Sequence, residues 1–407
     1  MGDPLRHTRI AQLAGSPRRR YYTGADLRRA VAVEDLRAMA HRRMPRFVLE
    51  YLEGGAEEEA SLARDRLAFG DWRFMPRQLV DVSARSLACE LLGRRSALPL
   101  VIAPTGLNGL FREGGDLMLA RAAAAAGVPY VQSTMSNDRM EDVARTPGLR
   151  HWWQLYVFGG EEVWQSLVQR ADACGCEALV LTTNAQIFGN REWSRRTRAG
   201  PARPSAATVL DAALHPRWIA ATLLRKRGLP VFRNVIDFVP RERRGFFETA
   251  HWIREQQPES LDWRLVERIR LRWPRPFLLK GLLHPEDVRR AVDAGVDGIV
   301  LSSHGGRQLD QTIAPLDLLA EAVGIARGRV PIHLAGGVRR GTDLLKALAL
   351  GATSAWVARA PLYGLCAGGE AGVQRALEIL GQEAFDAMGL LGAASLDELG
   401  PGLIRRV

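Results

Sequence analysis

The segment LSSHGGRQLD (301–310) sets a histidine, two glycines and an arginine in consecutive positions. Imidazole titrates near neutrality, so His304 can take up a proton as a general base. Arg307 carries paired N–H donors that match a carboxylate. Gly305 and Gly306 let backbone approach a ligand closely. Lysine adds a weaker signal: of 56 basic residues only Lys226, Lys280 and Lys346 are lysine. One kept against that bias suits a place that needs a compact ammonium rather than a guanidinium fork. The four cysteines are scattered, and Cys174 and Cys176 have no third or fourth ligand in reach, so no metal site and no disulfide framework is expected.

These groups need elements to hold them. From residue 99 onward, short apolar, β-branched runs alternate with turns and helical stretches such as DLMLARAAAAAG. There are eight runs: 99–104, 129–134, 152–157, 178–183, 277–281, 298–304, 331–337 and 354–359. Strands alternating with helices argue for a parallel sheet, and eight units for a closed (β/α)8 TIM barrel of α/β class, with an open doubly wound sheet as its rival. Such a barrel carries its chemistry at the C-terminal ends of the strands. Polar groups or glycine stand there in every run: Thr105 and Gly106, Ser133, Gln154 and Tyr156, Thr182 and Asn184, Lys280, His304 and Arg307, Arg339, and Arg359. The organisation expected is a basic N-terminal extension (1–30) and one domain over 31–407, with the barrel at about 96–370. A helical cap near 33–56 and a long insertion after strand 4, at about 190–260, complete it.

The 407 residues are 47% hydrophobic and 25% charged, the balance of a folded protein, and no apolar run reaches membrane-spanning length. The N-terminus lacks the apolar core of a signal peptide, so a cytoplasmic location is expected. The net charge of +11 is concentrated in two places. Residues 195–244 hold twelve basic and three acidic side chains, and the first twenty residues five and one. Inside the insertion the basic residues alternate with Trp218, Leu224, Val231, Phe232 and Phe246. That mixture suits an anionic membrane surface, placing the protein peripherally on the inner face of the membrane, or packing against a partner subunit. Nucleic acid is not expected as a partner, because no recognised binding module is present.

The chain resembles the FMN-dependent α-hydroxy-acid dehydrogenase and oxidase family, which includes glycolate oxidase, flavin-type lactate dehydrogenases and mandelate dehydrogenase. The likeness rests on YLEGGAEEE (51–59), APTGLNG (103–109), QLY (154–156), LTTN (181–184), LLKG (278–281), SHGGRQLD (303–310), GGVRRGTD (336–343) and KALALGA (346–352). HPRW (215–218) and the insertion bring it closest to the mandelate dehydrogenase branch. The resemblance implies FMN as cofactor and a small 2-hydroxy acid as substrate, with quinone or oxygen as electron acceptor and a homo-oligomeric assembly. It makes His304 the base, Arg307 and Arg191 the carboxylate ligands, and Tyr51 and Tyr156 the residues that orient the substrate. Lys280 would stand by the flavin N1/C2 carbonyl. Ser133, Gln154, Thr182 and Ser302 would bond the ring with backbone at Thr105 and Gly106. Gly336, Gly337, Arg339 and Arg359 would hold the phosphate. Gly106, where many oxidases of the family carry alanine, would widen the pocket for a bulky, aromatic substituent and favour a dehydrogenase.

Four positions depart from the family pattern. Asn184 replaces an aspartate that supports the catalytic imidazole, and Ala335 replaces one that binds the ribityl hydroxyls. Ser303 stands for asparagine and Ala358 for glycine. Two readings follow: a hydroxy-acid dehydrogenase with compensations elsewhere, or a flavoprotein of the family recruited to a different oxidation.

Overall fold

A computed structural model describes residues 20–197, 205–224, 228–257 and 260–407. Arg6, Arg9, Arg18 and Arg19 of the basic extension lie outside the described residues, as do Arg198, Arg203, Arg225, Lys226 and Arg227 of the insertion.

Eight parallel strands close a barrel: β1 (Leu100–Ile102), β2 (Pro129–Ser133), β3 (Arg150–Leu155), β4 (Ala178–Thr182), β5 (Phe277–Leu282), β6 (Gly298–Ser302), β7 (Ile332–Ala335) and β8 (Ser354–Val357). They fall on the eight runs read from the sequence. Each strand pairs with the next, and β8 returns to β1 through Ala355↔Leu100, Trp356↔Val101 and Val357↔Ile102. The strands are buried throughout apart from Gly281, because helices cover their outer face and neighbouring staves their inner one. That is why they read as near-continuous apolar runs. The inner filling includes Val101, Val131, Trp152, Val180, Leu278, Val300, Ala335 and Trp356. Leu91, from the hairpin Cys89–Leu91/Arg94–Ser96, joins this cluster, and Arg150 ties the hairpin down by donating to the Leu91 carbonyl.

The expected cap is two helices, Val33–Arg43 and Arg46–Glu53. Met44 is extended ahead of Pro45, whose ring disfavours helical geometry in the preceding residue. The second helix ends over the barrel mouth. Its last carbonyls, those of Tyr51, Leu52, Glu53 and Gly54, accept from Arg307 and Arg359. Helix Ala60–Leu67 follows and packs beside the turn after β7.

Between β4 and β5 lie helices Glu192–Arg196, Ala206–Ala213, Pro216–Thr222 and Phe246–Glu255 ahead of the barrel helix Trp263–Arg272. The insertion is stapled to the barrel by polar contacts. Trp218 donates its indole N–H to the Leu110 carbonyl at 2.9 Å, and Asn234 donates to Ser136 Oγ and the Asp138 carbonyl. Not all of its large apolar residues face outward: Trp218 and Phe232 are buried, and Phe246 stacks on Phe232 at 5.8 Å. The exposed ones are Val209, Leu210, Leu214 and Leu224, with Val231 at the margin.

Candidate active site

A cavity at the C-terminal mouth of the barrel collects most of the residues singled out above. Tyr51, Thr105, Gly106, Ser133, Tyr156, Arg191, Lys280, Ser302, His304, Arg307, Gly336, Gly337, Arg339 and Arg359 all line it. Asn184, Gln154 and Thr182 stand behind this lining. Asn184 bonds His304, Gln154 bonds Ser133, and Thr182 pairs in register with Lys280.

His304 sits in a tight turn at φ 59°, a left-handed conformation uncommon for a residue with a side chain. Its backbone N–H donates to Ser302 Oγ, and its ring is held at both nitrogens. Asn184 donates its amide to the Ser302 carbonyl at 2.9 Å, which leaves Oδ1 to accept from His304 Nδ1 at 3.1 Å. The proton therefore rests on Nδ1, and Nε2 carries the lone pair. Tyr156 donates its hydroxyl to that lone pair at 3.2 Å. Burial, then the cations Lys280, Arg191, Arg307 and Arg359, hold the His304 pKa well below the usual imidazole value. Burial alone brings the Lys280 ammonium down to about 8, and Lys280 donates to Ser302 Oγ at 3.0 Å. Gly281 follows with φ 118° at an irregularity in the β5–β6 register; a side chain there would collide with Asn184, its Cβ 2.5 Å from Asn184 Cγ.

Arg307 is anchored by donation to the Tyr51 and Gly54 carbonyls, both at 2.8 Å, with its guanidinium 5.0 Å from the Tyr51 ring centroid. Arg191 donates to the Arg307 carbonyl and to Gln308 Oε1. Tyr51 donates to the Gly106 carbonyl at 3.2 Å. These tethers hold two cations and one phenol at the rim that also bears Tyr156 and His304. Arg359 is fixed by the carbonyls of Leu52, Glu53, Gly54 and Gly305, and burial brings its pKa down to about 10, with Arg307 and Arg339 pulling the same way.

The residues present fit an FMN. The Gln154 amide is oriented by Ser133, which donates to Oε1 at 2.8 Å, while its Nε2 is buried with no partner in the protein. Glycines at 336 and 337, with φ 154° and 74°, keep side chains out of the turn beside Arg339. Arginines and glycines gather just after β7 and β8, where barrels of this type bind phosphate.

Several cavity residues carried no sequence signal. Phe111, Met135, Ala185 and Phe188 add apolar side chains to the lining. Met135 changes the expectation for Gly106: a Cβ there would lie 2.8 Å from Met135 Cβ, so the space left by the missing methyl is already filled. Asp65 likewise carries no signal in the sequence. It accepts from Ser303 Oγ, its Oδ1 is buried without a partner, and burial pushes its pKa up to about 7. Ser303 thus donates to a buried carboxyl carried by the helix Ala60–Leu67.

Residues 40–406 match the family model described as FMN-dependent dehydrogenase. (S)-mandelate dehydrogenase of Pseudomonas putida is 42% identical over 374 residues, covering 92% of this chain and 93% of that protein. A putative L-lactate dehydrogenase of Mycobacterium tuberculosis is 39% identical over 376 residues, covering 91% and 88%. A crystal structure of the monotopic membrane protein (S)-mandelate dehydrogenase superposes with TM-score 0.88 at 42% identity, covering 93% of this chain and 99% of that one. The chain therefore belongs to the FMN-dependent dehydrogenase family and is an oxidoreductase of its 2-hydroxy-acid dehydrogenase and oxidase group.

Proposed function

We propose that this enzyme oxidises an aromatic, mandelate-like 2-hydroxy acid to the 2-oxo acid, with His304 as base. One observation carries the reading: the unprotonated Nε2 of His304 stands beside Tyr156 at a rim shared with Arg191 and Arg307. The arginines pair with the substrate carboxylate, which turns the carbinol toward Nε2. Tyr51 and Tyr156 bond the substrate oxygens and fix its orientation. The apolar lining residues Phe111, Met135, Ala185 and Phe188 favour an aromatic substrate side chain over a charged one. FMN, when bound, supplies the two-electron acceptor. His304 receives the proton at Nε2 and becomes an imidazolium, which Asn184 steadies through Oδ1 without adding charge. Lys280, the buried cation beside Ser302, favours negative charge on the ring side of the cavity.

The enzyme acts on an anionic membrane surface, passing electrons to quinone or oxygen, and works as a homo-oligomer. Among the described residues no helix is long and apolar enough to cross a membrane. The exposed leucines of the insertion, with Arg195, Arg196 and Arg217 exposed nearby in sequence, suit peripheral docking. The second reading, a flavoprotein recruited to another oxidation, draws on Asn184 and Ala335. An anaerobic screen of aliphatic and aromatic 2-hydroxy acids, read as loss of flavin absorbance, separates the two. Bleaching by mandelate-like acids supports the first reading. A flavin indifferent to every 2-hydroxy acid supports the second.

A further inference from the structure

Ala335 and Trp356 are cross-strand partners on β7 and β8, both inside the barrel and both lining the cavity. On each strand the phosphate-side residues follow within three positions: Gly336 and Gly337 after Ala335, and Arg359 after Trp356. Ala335 and Trp356 share one cavity lining with these residues and with Lys280 and Ser302, so a cofactor spanning from the phosphate residues to the ring residues runs along this lining. Ala335, 6% exposed, presents only a methyl group to it. Trp356, 1% exposed, has a different problem: its indole Nε1 is buried and bonded to no protein atom. Its ring neighbours Trp152 and His333, at 5.7 and 5.9 Å between centroids, do not accept from it. A buried donor without an acceptor is costly, and its cost is removed when a ligand oxygen is brought to it. A hydroxyl can serve, because it accepts as well as donates.

We propose that the Trp356 indole N–H donates to a hydroxyl of the FMN polyol chain, anchoring from β8 what Ala335 cannot anchor from β7. This assignment rests on FMN as cofactor and on the cofactor placement proposed above, and it is independent of which hydroxy acid is oxidised.

Trp356→Phe keeps an aromatic ring and removes the N–H. Parent and variant apoproteins are titrated with FMN, riboflavin and lumiflavin, following flavin fluorescence. The variant should bind FMN and riboflavin about 3- to 10-fold more weakly, the range set by one neutral hydrogen bond. Lumiflavin, which lacks the polyol, should bind both proteins within twofold. Unchanged FMN affinity, or an equal loss for all three flavins, overturns the proposal. Should the variant fail to fold, the parent still decides through its ¹⁵N-labelled tryptophans. An indole N–H resonance moved by riboflavin and not by lumiflavin supports the assignment; the absence of any such resonance overturns it. Failure of the substrate screen leaves all of these readouts untouched.

Discussion

Asn184 and His304 meet at 3.1 Å, Oδ1 to Nδ1, while the Asn184 amide is spent on the Ser302 carbonyl. An asparagine so placed fixes the tautomer of the histidine as a carboxylate would, leaving Nε2 unprotonated and facing the Tyr156 hydroxyl. It does not supply the negative charge that favours an imidazolium. Four cations already press the His304 pKa down in addition to burial. Burial and these cations thus favour the neutral base, and the ion it forms is costly.

Asn184→Asp tests that balance. The added charge raises the His304 pKa, so the acid limb of the pH profile for flavin reduction moves to higher pH. The rate on the plateau rises, because the imidazolium formed is better stabilised. Stopped-flow reduction from pH 5 to 9 reads both effects. A limb that stays in place or moves to lower pH contradicts the electrostatic account.

Asp65 makes stability depend on pH. Its carboxyl ionises near 3.8 when free and near 7 in the fold, where burial outweighs Ser303 and the cations Arg359 and Arg339. Between those values the folded chain keeps a proton that the unfolded chain releases. This contribution to stability is complete below about pH 4 and is lost as pH rises through about 7. Asp65→Asn removes the titration. In thermal unfolding of the apoprotein, the variant's Tm advantage over the parent should grow by a few degrees between pH 5 and pH 8. A difference that is constant with pH would refute the assignment.

The docking surface can be tested without touching the site. Leu210 and Leu214 are 63% and 71% exposed, and helix Ala206–Ala213 buries none of its residues. Replacing both leucines by serine forfeits about 1.5 kcal/mol each if they enter the lipid interface. Flotation with anionic vesicles at low salt should then fall more than 10-fold, with flavin content unchanged. Equal flotation of parent and variant, or no binding by the parent, would rule out this face.

The barrel was legible because its staves are buried on two sides, which leaves unbroken apolar runs with chemistry at their ends. His304, Arg307 and Lys280 declared themselves by residue type at those ends. Asp65 did not, since one aspartate in the helix ASLARDRL looks like solvent-facing charge until the fold sets Ser303 against it. Trp356 read as one more apolar residue of β8, because its significance lies in a donor left without a partner. Gly106 suggested open space that Met135, distant in sequence, closes. In the insertion, composition gave charge and apolarity but not direction. Trp218 turned inward to Leu110, while the leucines of a neighbouring helix stayed outside.

The central claim is that His304 Nε2 takes the substrate proton. Its most direct test is anaerobic stopped-flow reduction of FMN-loaded parent and His304→Gln by (S)-mandelate, with flavin occupancy checked by absorbance beforehand. The account predicts that the parent's flavin bleaches and that the variant, carrying its FMN, is slower by about two to four powers of ten, the range for loss of a positioned base. Reduction of the variant at near the parent rate would contradict it.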